Sequence, residues 1–233
     1  MNPVAPRVAI LMAGRTLSPI RERHGDFDSW FQERPGVEAG YHVHFLFDGD
    51  PLPVPADSDG WIITGSSDSV NDDLPWLPAV KDGIARAVDD GHPVLGVCFG
   101  HQLLAVSTGG RVKLNPEGWE LGAAMVTLTK AGTASPLFQG MGRRFPVYQT
   151  HREVVADLPS GAEILAANSM GLQAFQLNGL AFGVQFHPEF TEDITRMYVR
   201  LRSGRDDAVP TSLDTRGENS RQVLTNFIQQ LTL

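Results

Sequence analysis

The sequence predicts an α/β fold: an open, mostly parallel sheet flanked by helices, with a small antiparallel excursion. Three observations predict it. Short continuous apolar runs in the N-terminal half are each stopped by turn residues, the pattern of strands buried on both faces. Segments of helical periodicity lie between them, and strands alternating with helices imply a parallel sheet covered on both sides. The second half instead packs several short strands together with turn signals between them.

In order, "RVAILM" (7–12) is the first buried strand, "YHVHFLF" (41–47) is a β-rich second, and "DGWIITG" (59–65) is a third, ended by glycine. Residues 74–91 place Trp76, Leu77, Val80, Ile84 and Val88 at helical spacing before Gly91. "PVLGV" (93–97) is the fourth strand, and 99–108 reads as the helix after it. The antiparallel excursion comprises "LGAAMVTLT" (121–129), "AEILAAN" (162–168), "LQAFQL" (172–177) and "LAFGVQF" (180–186), the last returning to the sheet. Residues 203–217 read as a polar loop. A final amphipathic helix is expected over 219–231, with Val223, Phe227, Ile228 and Leu231 on one side. No repeat or low-complexity tract interrupts the chain. It reads as one domain over 1–233, with a core of about 7–190 and a helical extension over 191–233.

A chain of 233 residues can bury a full core without covalent staples. A net charge of −8 argues against a nucleic-acid footprint. No apolar run is long enough to span a membrane. The N-terminal apolar stretch is short and broken by proline, so it reads as a strand rather than a signal peptide. One cysteine excludes an internal disulfide framework and suits a reducing cytoplasm.

That cysteine, Cys98, lies in "PVLGVCFGHQLLA" (93–105). A lone cysteine is most often a buried apolar residue. Here it sits where a strand turns sharply into a helix, between Gly96 and Gly100, in the G-x-nucleophile-x-G spelling of a nucleophile elbow. Such a turn has no packing need for a thiol. At a helix N-terminus the dipole and unpaired N–H groups favour the thiolate, and the Phe99 N–H is aimed where an oxyanion would form.

A nucleophilic thiol needs a base, and seven histidines are available. His42 and His44 alternate on a strand, His24 and His92 fall in loops, and the helix carries His101 away from the thiol. His187 ends an apolar strand in "GVQFHPEF" (183–190), where open α/β sheets bind ligands. Pro188 stiffens the turn, and Glu189 can reach back to orient the imidazole. The reading is Cys98 attacking, His187 moving protons and Glu189 holding the tautomer.

With "GVCFGHQLLA" and "GVQFHPEF" together, residues 7–190 resemble the class I (triad) glutamine amidotransferases, a flavodoxin-like fold. Within them, the stand-alone GMP-synthase-like proteins and the γ-glutamyl peptidases look nearest. The resemblance implies attack of Cys98 on the side-chain amide of glutamine, a γ-glutamyl thioester, loss of ammonia and hydrolytic release of glutamate. Cys98, His187 and Glu189 match the triad. Phe99 matches one oxyanion donor, and "ITGSSDSV" (63–70) matches the loop supplying the other, from the Ser66 N–H. Gly65, Gln102, Thr150 and His151 match the residues that hold the substrate, the last two within "YQTHREV" (148–154). "GWELG" (118–122) also recurs in the stand-alone branch. Two departures stand out: Gly65-Ser66-Ser67 where many members have Gly-Gly-Pro, and Arg152 where many have glycine.

Several functions compete on these residues. A glutaminase would need an ammonia-accepting synthase as partner. A γ-glutamyl peptidase or hydrolase would need none. A catalytically idle binding module is opposed by the intact triad. The related α/β cysteine hydrolases and chaperones put their histidine soon after the cysteine and lack the distant "HPE". No metal cluster, phosphate loop or cofactor motif is visible. The extension past 190 reads as a solvated helix pair, a lid or a docking surface.

Overall fold

The computed structural model describes residues 5–204 and 218–232. It contains β1 (Arg7–Met12), α1 (Ser18–His24), α2 (Phe27–Glu33), β2 (Gly40–Phe45), β3 (Gly60–Ile63), α3 (Leu77–Asp89), β4 (Val94–Val97), α4 (Phe99–Ser107), β5 (Arg111–Leu114), β6 (Glu120–Leu128), α5 (Lys130–Ala134), β7 (Arg144–His151), β8 (Glu153–Asp157), β9 (Glu163–Asn168), β10 (Gly171–Leu177), β11 (Ala181–Val184), α6 (Glu192–Ser203) and α7 (Glu218–Gln230).

Nine strands form one sheet in the order β2-β1-β3-β4-β11-β10-β9-β6-β7, and β5 pairs with β8 beside it. The contiguous run β2-β1-β3-β4-β11 is parallel throughout, and the antiparallel strands continue the same sheet from β11 outward. The apolar runs of the sequence follow from coverage of both faces. Along β1, Val8, Ile10 and Met12 enter one apolar cluster, and Ala9 and Leu11 enter the other. Helices α3 and α4 cover the second cluster through Val80, Ile84, Leu103 and Leu104. The first is covered by Phe27, Trp30 and Phe31 of α2, Tyr198 of α6 and Phe227 of α7.

The extension is therefore not a solvated helix pair. α6 buries Ile194, Tyr198 and Val199, and α7 buries Val223, Leu224, Phe227 and Ile228. Three strands, β5, β7 and β8, go beyond the strands expected from sequence. His24 ends α1 rather than lying in a loop. Of the expected loop 203–217, Ser203 closes α6 and Gly204 caps it in the left-handed conformation, and 205–217 lie outside the described residues. None of the described helices is long and apolar enough to cross a membrane.

Candidate active site

The strands β3, β4 and β11 are neighbours, and their carboxyl ends deliver Gly65 and Ser66, Cys98, and Gln185 to Glu189 side by side. This is the crevice position expected of ligand sites in open α/β sheets.

Cys98 is the N-cap of α4, with φ 53° and ψ −102°. A non-glycine residue there is strained, and the surroundings hold it in place. Its N–H donates to the Val184 carbonyl at 2.9 Å. Both flanking glycines are required by close approach. A Cβ on Gly96 would lie 2.3 Å from the Gly100 oxygen, and one on Gly100 would lie 2.2 Å from the Ile63 oxygen. The helix thus crosses its strand backbone to backbone, and the turn must project the intervening side chain.

His187 and Glu189 are fully buried. His187 Nδ1 lies 2.7 Å from Glu189 Oε1. The imidazole lies flat on Phe190, with centroids 3.9 Å apart and planes 10° apart, and Phe190 stacks in turn on Tyr198 at 5.0 Å. Phe27 stacks more distantly on the imidazole, at 6.4 Å. Gly65 fits between these two rings: a Cβ there would come within 3.1 Å of Phe27 and 3.2 Å of His187. His187 Nε2 is buried without a hydrogen-bond partner among the described residues. Burial is the largest influence on this imidazole and pulls its pKa down. The Glu189 carboxylate, by charge and hydrogen bonding, and the neighbouring Cys98 oppose it and raise the pKa to about 10.

Cys98 opens into a pocket of about 250 Å³, lined among others by Ser66, Phe99, Gln102, Thr150 and His151. Phe99 is the first residue of α4, so its N–H has no acceptor within the helix. The Gln102 amide nitrogen donates to the Glu153 carbonyl at 3.0 Å and to Gln185 Oε1 at 3.2 Å, which leaves Gln102 Oε1 as an acceptor. The Thr150 hydroxyl is buried without a partner among the described residues. His151 is engaged differently. Its Nε2 lies 3.0 Å from Glu120 Oε2 and its Nδ1 lies 3.1 Å from the Glu153 carbonyl, so both ring nitrogens are occupied by the protein. Asn168 and Gln173 also donate to the Glu120 carboxylate. His151 is therefore a braced wall of the pocket.

His101 goes elsewhere, as its helical position implies. It is buried in the core against Phe175, and burial drives its pKa down to about 3. Sequence reasoning missed four lining residues that the fold contributes: Asp72, Trp119, Glu153 and Arg202. Trp119 lies within the quoted "GWELG", where an exposed aromatic was the available signal. Arg202 had none, because nothing local ties α6 to the cysteine. Among the described residues no group of three or more histidine, cysteine, aspartate or glutamate side chains could hold a metal ion.

The sequence model of the glutamine amidotransferase class-I family matches residues 37–199. Over 139 residues the chain is 32% identical to γ-glutamyl peptidase 4 of Arabidopsis thaliana, an alignment covering 58% of this chain and 55% of the relative. Over 128 residues it is 35% identical to the glutamine-hydrolysing GMP synthase of Pyrobaculum aerophilum, covering 55% of this chain and 23% of that one. The chain thus spans little more than half of one curated relative and about a quarter of the other. Among solved structures, a glutamine amidotransferase of Thermotoga maritima superposes with a TM-score of 0.76 at 19% identity, over 98% of this chain and 99% of that one, a likeness of fold.

Proposed function

Because the chain belongs to the class-I glutamine amidotransferase family, we propose that it hydrolyses a γ-glutamyl amide bond through a Cys98 thioester. One observation carries the reading: Cys98, on its elbow, shares a buried centre with the His187–Glu189 pair. The Cys98 sulfur attacks the side-chain carbonyl carbon of a γ-glutamyl group. His187 takes up the Cys98 proton before the attack, carries it as the imidazolium, and gives it to the departing nitrogen as the C–N bond breaks. The N–H groups of Ser66 and Phe99 hold the oxyanion. Water then cleaves the thioester, its proton passing through His187 to the sulfur, so that glutamate leaves and the Cys98 thiol is restored on the protein. Gln102 and Thr150 hold the amino-acid end of the substrate, and Gly65 and His151 shape the walls.

With glutamine as substrate the products are glutamate and ammonia, and a separate synthase would be the acceptor. A second reading, hydrolysis of γ-glutamyl peptides, is favoured by two arginines, Arg152 and Arg202, that line the same pocket. In both readings the whole chain acts as one catalytic domain, α6 included, without cofactor or metal. A single thiol as nucleophile suits a reducing compartment, and we assign the protein to the cytoplasm.

The test is glutamate release by the isolated protein from glutamine and from a panel of γ-glutamyl peptides, with Cys98→Ser as the control. Release that depends on Cys98 is expected. Release of equal size from Cys98→Ser, or none from any γ-glutamyl compound, contradicts the reading.

A further inference from the structure

Two arginines line the Cys98 pocket, and neither is paired with a carboxylate among the described residues. The Arg202 guanidinium carbon stands 4.5 Å from the centroid of the Trp119 ring and 5.4 Å from that of Tyr198. The Arg152 guanidinium carbon stands 5.8 Å from the same Trp119 ring. Arg202 Nε is buried and makes no hydrogen bond among the described residues. Burial foremost, and the charge of Arg152, hold this guanidinium below the usual arginine range, although Tyr198 and Cys98 act the other way. Two cations held on one indole and sharing no anion among the described residues form a site whose electrostatics an incoming carboxylate would satisfy.

Topology decides which part of a substrate would reach them. Cys98 ends β4. On its β3 side lies the loop with Asp68 and Asp72, the side suited to an ammonium group. On its β11 side lie His187 and then α6. A run of stacked groups, His187 on Phe190, Phe190 on Tyr198 and Tyr198 beneath Arg202, connects the imidazole to the guanidinium. The histidine that protonates the departing nitrogen must face the leaving group. Arg202 therefore stands on the leaving-group side of the nucleophile.

We propose that Arg202 and Arg152, backed by Trp119, form a subsite for a carboxylate on the leaving portion of the substrate, which makes γ-glutamyl amides of α-amino acids preferred over glutamine. This rests on the γ-glutamyl hydrolysis proposed above and specifies its substrate. Planar guanidinium groups suit a carboxylate in two-point contact. Cleavage of γ-glutamyl-alanine by water would give glutamate and alanine, with the proton from His187 ending on the alanine nitrogen.

The experiment compares γ-glutamyl-alanine, its C-terminal carboxamide and glutamine by kcat/KM, in the intact protein and in Arg202→Gln. The intact protein should prefer the free acid over the carboxamide by about tenfold, the scale of one charge-assisted contact. Arg202→Gln should abolish that preference and leave glutamine within about threefold. Arg152→Gln, at an exposed position, should weaken the preference in the same direction and serves if Arg202→Gln does not fold. Equal use of acid and carboxamide by the intact protein overturns the subsite. So does an equal loss on all three substrates in Arg202→Gln, which would put Arg202 on the glutamyl carboxylate. Calorimetric binding of the acid and the carboxamide to Cys98→Ala separates the subsite from the chemistry. Tighter binding of the acid, with no turnover by the intact protein, would sink the hydrolase reading and leave the subsite standing. Equal binding, or no binding of either, would sink the subsite.

Discussion

His187 Nδ1 lies 2.7 Å from Glu189 Oε1, two residues along the chain, with both side chains sealed from solvent. The other carboxylate oxygen, Oε2, has no hydrogen-bond partner among the described residues, so the imidazole is the one group hydrogen-bonded to this buried charge. The pair fixes the ring's orientation and, against the larger pull of burial, raises the pKa of His187 to about 10. A raised histidine pKa means that the protonated form persists through neutrality. Its contribution to stability is full below about 6.5 and is lost as pH rises towards 10. Activity that needs His187 to protonate the leaving nitrogen should therefore decline only at alkaline pH. In Glu189→Gln that alkaline limb should move to lower pH, because the main raising influence is gone. A kcat–pH profile checks this, and a limb that stays in place in the variant contradicts it. His187→Ala should lower kcat by more than ~10²-fold, and Glu189→Gln by less.

Cys98 is expected to be the sole covalent nucleophile. A diazoketone or chloroketone analogue of glutamine should add one label per chain, on Cys98. Mass spectrometry that finds the label on another residue overturns the assignment.

Gly96→Ala and Gly100→Ala should destabilise the protein, because each new Cβ would lie 2.3 Å or 2.2 Å from a backbone oxygen rather than from a movable side chain. Overpacking of this kind costs roughly 1–3 kcal/mol or more, and a chain of this size loses about 2–4 °C of Tm per kcal/mol. Gly142→Ala is the control: its Cβ would meet nothing nearer than 3.5 Å, so the change should fall within about 0.5 kcal/mol. Thermal melts that show no difference between the elbow glycines and Gly142 would remove the close crossing as a constraint.

His101 should make the fold sensitive to acid. Its folded pKa is depressed to about 3 by burial, so below about 6.5 the unfolded chain binds a proton that the native core refuses. Stability should fall with decreasing pH through that window, by up to about 1.4 kcal/mol per unit from this group. His101→Met should lose less stability between pH 7 and pH 5 than the parent does. Parallel pH dependence in the two proteins would contradict a neutral buried His101.

Gln102 is expected to bind the amino-acid end of the substrate through Oε1, since both amide hydrogens are committed to Glu153 and Gln185. Gln102→Ala should raise KM for glutamine, and deaminated or decarboxylated analogues should be poor substrates of the intact protein, because unpaired polar groups would remain in the pocket. Unchanged KM in the variant would take Gln102 out of the binding set.

The parallel strands were legible because burial on both faces writes them as unbroken apolar runs: β1, β3, β4 and β11 all show it. Helices α3, α4 and α7 were legible from spacing. β5, β7 and β8 were not. β5 buries one side chain in four, and β7 contains Pro146 and a polar end, Gln149-Thr150-His151, that faces the pocket and its supporting network rather than an apolar core. A strand that buries so few apolar residues, or whose buried end is polar, loses the alternation by which a strand is recognised.

The sequence by itself determined the elbow, because the glycine spacing around Cys98 and the His187-x-Glu189 turn are local chemistry carried by adjacent residues. Tertiary structure alone decided what surrounds them. The stacking of Phe190 on Tyr198, the pairing of His151 with Glu120 and the arrival of Arg202 and Trp119 at the pocket all join residues from different strands and helices. Such contacts depend on strand order and helix packing, and short-range periodicity carries no record of which distant surfaces will meet.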